Sequence, residues 1–188
     1  VQVNRFWVLA VLVLFIGKTQ AESAEAQVIH VGDGDSLTVC IGGRESRVRL
    51  VGIDAPEYRQ RYGRTARRSL ASLCEYEVAR LEWSQADRYG RLLARVTCRG
   101  VEANAEQVRR GMAWASHLDA PDPSLDAAQA AAREARAGLW RDADPQPPWQ
   151  WRREDRATGG RQPPTPGDEA PAASPPARGR APVSCSNS

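Results

Sequence analysis

Nine residues, Arg49-Leu50-Val51-Gly52-Ile53-Asp54-Ala55-Pro56-Glu57, constrain this chain more than any others. Their alternation reads as a strand, with Val48 and Leu50 on one face and Arg49, Val51 and Ile53 on the other. Pro56 cannot donate to a ladder, so the strand ends there. One guanidinium and two carboxylates are thereby held at fixed offsets around a single strand end. An arginine flanked by aliphatic residues in a half-buried strand is costly unless an anion meets it. Arg49 therefore implies a carboxylate or phosphate partner.

Two further clusters carry charge in turns. Gly32-Asp33-Gly34-Asp35-Ser36 lies between expected strands at 27–31 and 36–41, and Asp87-Arg88-Tyr89-Gly90-Arg91 opens an expected strand at 92–98. Taken singly, each is an ordinary turn, since Asp and Gly are the commonest turn residues. The ordered set of all three resembles the staphylococcal nuclease (thermonuclease) family. The resemblance continues through Gly111-Met112-Ala113-Trp114, Gly138-Leu139-Trp140 and Pro147-Pro148-Trp149-Gln150-Trp151-Arg152, covering roughly residues 27–153.

A five-strand set follows from the pattern: 27–31, 36–41 and 45–53 as a meander turning at Gly42-Gly43, then 78–83 and 92–98. Helices fit 64–75, where Ala66, Leu70, Leu73 and Cys74 share a face, 104–110 up to Gly111, and 123–137, with Asp122 as cap, Pro123 in first position and Gly138 as stop. The expected class is α+β, a five-stranded Greek-key OB-fold barrel with about three helices. The family resemblance implies the same fold.

The flanks differ in character. Residues 6–17 form an apolar run after Arg5, too short to span a bilayer, and Ala24-Glu25-Ala26 or Thr19-Gln20-Ala21 offers a small-x-small cleavage site. We expect a signal peptide over 1–26, a nuclease-like domain over 27–153 and a disordered Pro/Ala/Gly/Arg-rich tail over 154–188. The expected location is secreted or periplasmic, as a monomer with no stable membrane insertion after processing. Export favours disulfides among Cys40, Cys74, Cys98 and Cys185. Three full pairings are open, with Cys74–Cys98 preferred because both sit on apolar faces, and free buried thiols are the alternative. The formal charge of +3 permits a polyanionic partner without requiring one. All but one of the 26 basic residues are arginine, Lys18 being the exception, which fits a compositional bias as well as a nucleic-acid surface.

Asp35 and Asp54 are hard oxygen donors that suit calcium or magnesium rather than zinc. The resemblance implies that they bind Ca2+ with the backbone carbonyl of Ala55, where the family often has threonine. So few protein ligands imply weak binding, on the order of 10⁻⁴ to 10⁻³ M. Asp33 adds negative charge behind them. An EF-hand is excluded, because the sixth position of a loop beginning at Asp33 is Thr38 instead of glycine. By the same resemblance Glu57 is the general base or water-orienting group, and Arg49 and Arg91 stabilise charge on a phosphate. Either arginine is a poor proton donor, so the leaving-group acid stays open. Tyr89 and His117 are candidate substrate contacts, each with an ordinary structural reading beside it. The resemblance implies an exported Ca2+-dependent nuclease acting on DNA and RNA and leaving 3′-phosphate ends. A non-catalytic single-strand-binding OB-fold module is the alternative.

Overall fold

The computed structural model describes residues 21–118, 121–160 and Cys185. The expected signal segment up to residue 20, and the tail apart from 154–160 and Cys185, lie outside the described residues. In chain order the elements are β1 (Glu22–Val31), β2 (Ser36–Ile41), β3 (Arg44–Leu50), β4 (Ile53–Asp54), α1 (Gly63–Cys74), β5 (Val78–Ala86), β6 (Leu92–Cys98), β7 (Val101–Glu102), α2 (Ala103–Arg109), β8 (Trp114–Ala115), α3 (Pro123–Glu134), a 3-10 turn (Gly138–Arg141) and α4 (Pro148–Ala157).

Alternation along β1, β2 and β3 places Val28, Val31, Leu37, Val39, Val48 and Leu50 on one face, and all are buried. Burying that face requires the sheet to curl. β1, β2 and β3 form an antiparallel meander, β5 pairs with β1, and β6 pairs with β5. The seam is closed by β3 and β6, which run parallel through Val48↔Leu92, Arg49↔Leu93 and Leu50↔Ala94. Five strands thus close a mixed barrel with the expected OB-fold topology. Ala66, Leu70 and Leu73 of α1 pack into the same core.

Several boundaries differ from expectation, each for a local reason. The third strand does not run to residue 53. It stops at Leu50, because Gly52 takes a left-handed φ of +75° and turns the chain. Ile53 and Asp54 then pair with Ala115 and Trp114 of β8, so Ile53, expected beside Arg49 on the wetter face, is fully buried. β1 begins at Glu22 instead of 27, and its first five residues pair with β5 from Trp83 to Ala79. The Ala24-Glu25-Ala26 motif is therefore part of the sheet. α-Helices number four among the described residues rather than about three. The extra one, α4, starts at Pro148 in first position and runs through Arg153 to Ala157. Asp122 does cap α3, accepting from the Ser124 N–H.

Both cysteine pairs are disulfides. Cys74 of α1 joins Cys98 of β6, the preferred pairing, and Cys40 of β2 joins Cys185.

Candidate active site

The barrel rim at the ends of β1, β3 and β4 gathers the acidic residues. The turn 32–35 is cramped. A Cβ on Gly34 would lie 2.6 Å from the Ala55 Cβ and 2.7 Å from the Ala66 Cβ, so only glycine lets this turn sit on the Asp54-Ala55 segment. Gln107 of α2, fully buried, pins the turn by donating from Nε2 to the Gly34 carbonyl at 2.8 Å and to the Ala66 carbonyl at 3.1 Å. Asp33 accepts from the Asp35 N–H at 3.1 Å, fixing the turn from within.

Asp35 and Asp54 are 4% and 1% exposed. Asp35 Oδ2 accepts from the Ala55 N–H at 2.8 Å, and Oδ1 pairs with the Arg49 Nη1 at 3.0 Å. The second Arg49 amino group reaches the Ile53 carbonyl at 3.2 Å and Asp54 Oδ1 at 3.5 Å. Arg49 thus has the anion partners that its strand context demanded. Burial pushes the Asp35 carboxyl up to about 8. Arg49 pulls against that, the negative charge of Asp33 reinforces it, the Ala55 N–H opposes it, and Asp54 adds a further upward push.

Glu57 follows the rigid Ala55-Pro56 step, half-buried, in a loop closed on itself. Its N–H donates to Gln60 Oε1 at 3.1 Å, its carbonyl accepts from the Gln60 N–H at 2.8 Å, and Gln60 Nε2 donates to the Gln146 carbonyl at 2.6 Å. That last bond ties the loop to the segment leading into α4. α4 in turn delivers Arg152, whose Nη1 and Nη2 donate to the two Asp54 oxygens at 3.0 and 2.7 Å while Nη1 also reaches Glu57 Oε1 at 2.7 Å.

Arg152 is the site residue that sequence reasoning missed. A signal was present. Pro148, Trp151 and Arg152 fall at i, i+3 and i+4, and Pro148 and Trp151 are buried, so the docking face of this helix is also the face that carries the guanidinium.

Arg91 and Tyr89 lie on the β5–β6 loop. Asp87 organises it, accepting from the Tyr89 and Arg91 N–H groups and from Arg91 Nε at 2.8 Å. Burial works against the ionised Asp87, but those donors outweigh it and hold the carboxyl below the usual range. Arg47 of β3 fastens the loop to the barrel through the Tyr89 carbonyl at 2.8 Å. Leu93, the register partner of Arg49, follows Arg91 by two residues, so the loop rises beside the Arg49 strand. The Tyr89 ring is 57% exposed, with the Arg88 and Arg91 guanidiniums 4.8 and 5.7 Å from its centre. His117, just past β8, is tied instead to α3, with Nε2 2.9 Å from Asp126 Oδ1. So the structure gathers Asp33, Asp35, Arg49, Asp54, Ala55 and Glu57 in one place, and holds Tyr89, Arg91 and His117 on separate segments.

Among the described residues no group of three or more His, Cys, Asp or Glu side chains is arranged to hold a metal ion. The donor set nonetheless fits a hard divalent cation. Asp33, Asp35, Asp54 and Glu57, when ionised, stand against Arg49 and Arg152, leaving two uncompensated negative charges around buried oxygen donors.

Fold and site together define a closed OB-fold barrel with an acidic, arginine-flanked centre at its rim, suited to hydrolysis at phosphorus. The sequence profile described as staphylococcal nuclease homologue matches residues 47–142. An uncharacterized endonuclease of Escherichia coli is 39% identical over 149 residues, 79% of this chain and 97% of that protein. A micrococcal nuclease of Shigella flexneri is 35% identical over 157 residues, 78% of this chain and 90% of that one. The chain belongs to the staphylococcal nuclease family, a family of hydrolases. No helix among the described residues is long and apolar enough to cross a membrane.

Proposed function

We propose that this protein is a Ca2+-dependent nuclease that hydrolyses phosphodiester bonds of DNA and RNA and leaves 3′-phosphate ends. One observation carries the reading: two buried carboxylates, Asp35 and Asp54, share Arg49, with Glu57 three residues beyond. A pair of carboxylates held out of water is costly to a fold, and replacing such pairs by apolar groups is often stabilising. Its retention at a barrel rim supports a chemical role.

Asp35, Asp54 and the Ala55 carbonyl are the residues that would hold the ion, with Asp33 behind them. When bound, calcium supplies Lewis-acid stabilisation and a template for the phosphate. The protein's own groups do the rest. Glu57 takes a proton from the water that attacks phosphorus. Arg49 and Arg91 donate forked hydrogen bonds to phosphate oxygens as negative charge builds on them. The bond from phosphorus to the 5′ oxygen breaks, that oxygen is protonated from solvent or an unassigned acid, and the phosphate stays on the 3′ side. Tyr89, exposed on the Arg91 loop, is placed to stack on the nucleotide. His117 is a weaker candidate contact because Asp126 engages it.

Export to an oxidising compartment, as a secreted or periplasmic monomer, accords with two disulfides and the apolar N-terminal run.

The test is hydrolysis of single-stranded DNA by the oxidised protein with calcium, with magnesium and with chelator, repeated for Glu57→Gln. Calcium-dependent cutting is expected, with turnover in Glu57→Gln lowered at least a hundredfold, in the range set by general-base catalysis, and DNA binding little changed. A folded protein that binds the strand and cuts under none of these conditions is a binding module.

A further inference from the structure

The profile match ends at residue 142, ten residues short of Arg152. The most fully hydrogen-bonded cation on Asp54 therefore comes from outside the matched segment. Its placement is firm: Pro148 and Trp151 are buried, and Gln60 bonds the backbone just before α4. Its partners differ in exposure. The Asp54 side chain is 1% exposed, whereas those of Arg152 and Glu57 are each 32% exposed. Arg152 and Glu57 form the outer, partly solvated layer of the site, and the guanidinium engages both oxygens of the carboxylate beneath them.

We propose that Arg152 is an internal counter-cation that competes with the divalent ion for Asp54 and positions Glu57. The docking of α4 thereby sets the metal affinity of the site. This rests on the reading of Asp35 and Asp54 as metal ligands. Without a metal, Arg49 alone would face four carboxylates; Arg152 reduces that excess and keeps the cluster compact. When calcium enters, it must share the Asp54 oxygens with a guanidinium already seated on them, which weakens binding. The same guanidinium holds the Glu57 carboxylate 2.7 Å from Nη1. Loss of Arg152 therefore has two opposed effects, tighter calcium binding and slower turnover. A residue that merely supports the fold would not produce that combination.

The experiment is isothermal titration of Ca2+ into the full, oxidised chain without nucleic acid, paired with turnover at saturating calcium. Arg152→Gln is expected to bind calcium roughly tenfold more tightly, the low end of what one adjacent charge does to a carboxylate's proton affinity. Its kcat is expected to fall roughly tenfold or more, on the scale of a misplaced general base. Arg152→Lys keeps the charge without the fork, so calcium affinity should stay near that of the wild type while kcat remains low. Asp54→Asn separates the two readings. If it binds calcium as the wild type does, the assignment of the metal ligands has failed. If it abolishes binding while Arg152→Gln leaves affinity unchanged or weaker, the counter-cation proposal is overturned. Should Arg152→Gln not fold, hydrogen exchange of the wild type decides. Calcium should speed exchange of the amides of residues 148–157, and unchanged exchange there overturns the proposal.

Discussion

Replacing Asn104 by alanine should unfold this protein more readily than any single loss at its surface. Asn104 sits in the first turn of α2, 1% exposed, and reaches across the β3–β6 seam. Its Oδ1 accepts from the Val96 N–H at 3.0 Å, and its Nδ2 donates to the Val51 carbonyl at 2.8 Å and the Ala94 carbonyl at 3.1 Å. The Ala94 carbonyl also accepts from the Val51 N–H at 3.0 Å, so it keeps a partner after truncation. Val96 N–H and Val51 C=O lose theirs. Each buried polar group so stranded costs about 1–3 kcal/mol, giving an expected loss of about 4 kcal/mol. At about 3 °C per kcal/mol for a domain of this size, the melting temperature should fall by roughly 12 °C. Asn104→Asp should be worse at neutral pH, because a carboxylate keeps the Val96 bond but turns like-signed oxygens toward two carbonyls. Urea unfolding followed by tryptophan fluorescence measures both. A loss below about 1 kcal/mol for Asn104→Ala, with an unchanged denaturant slope, would refute the claim that this side chain pins the seam.

Reduction or Cys74→Ser/Cys98→Ser should cost about 3.5 kcal/mol by loop entropy for a bridge spanning 24 residues, read as a drop in the urea midpoint. A chain beginning at Glu22 should be fully stable, whereas one beginning at Gln27 loses the β1–β5 pairs from Glu22 to Ala26. At about 1 kcal/mol per net ladder bond, thermal melts should separate the two by roughly 2–4 kcal/mol, and mass spectrometry of exported protein should find processing nearer Ala21 than Ala26. Asp122 is held down to about 2 by its bonds to the Ser124 hydroxyl, the Arg95 guanidinium and the Ser124 N–H. Because the native pKa lies below the unfolded one, its contribution is present above about pH 4 and disappears as pH falls toward 2. Asp122→Ala should therefore cost about 1 kcal/mol at pH 7 as a lost cap, and its stability curve should converge on the wild type near pH 2.

The legible parts of the site are those whose logic is short-range. The turn 32–35, the Ala55-Pro56 step and the Asp87 loop each declare themselves within five residues, because Asp, Gly and Pro act on their own backbone. Gly52 shows the limit of that logic. It was written into the strand as one more alternating position, yet its +75° φ breaks the strand and sends Ile53 into the core. A glycine in a strand pattern is compatible with both outcomes, and the deciding contact is tertiary, since a Cβ there would lie 2.8 Å from Leu125 of α3. Cys40 and Cys185 lie 145 residues apart, a pairing that no local pattern encodes.

Arg152 marks the same boundary at the chemistry itself. It lies 98 residues from Asp54, and its helix is recognisable by its prolines and tryptophans, but helical periodicity says which face docks without saying against what. Only the closed barrel supplies the answer. Gly34 and Gln107 draw the first aspartate loop onto Ala55. The Gly52 turn draws the second toward β8, and Gln60 joins the Glu57 loop to the entry of α4. Each tie is a hydrogen bond or a close contact between segments far apart in sequence. Together they make the position of Asp54 depend on α4 as much as on its own strand, which is why a change in that helix is expected to register first in the affinity for calcium.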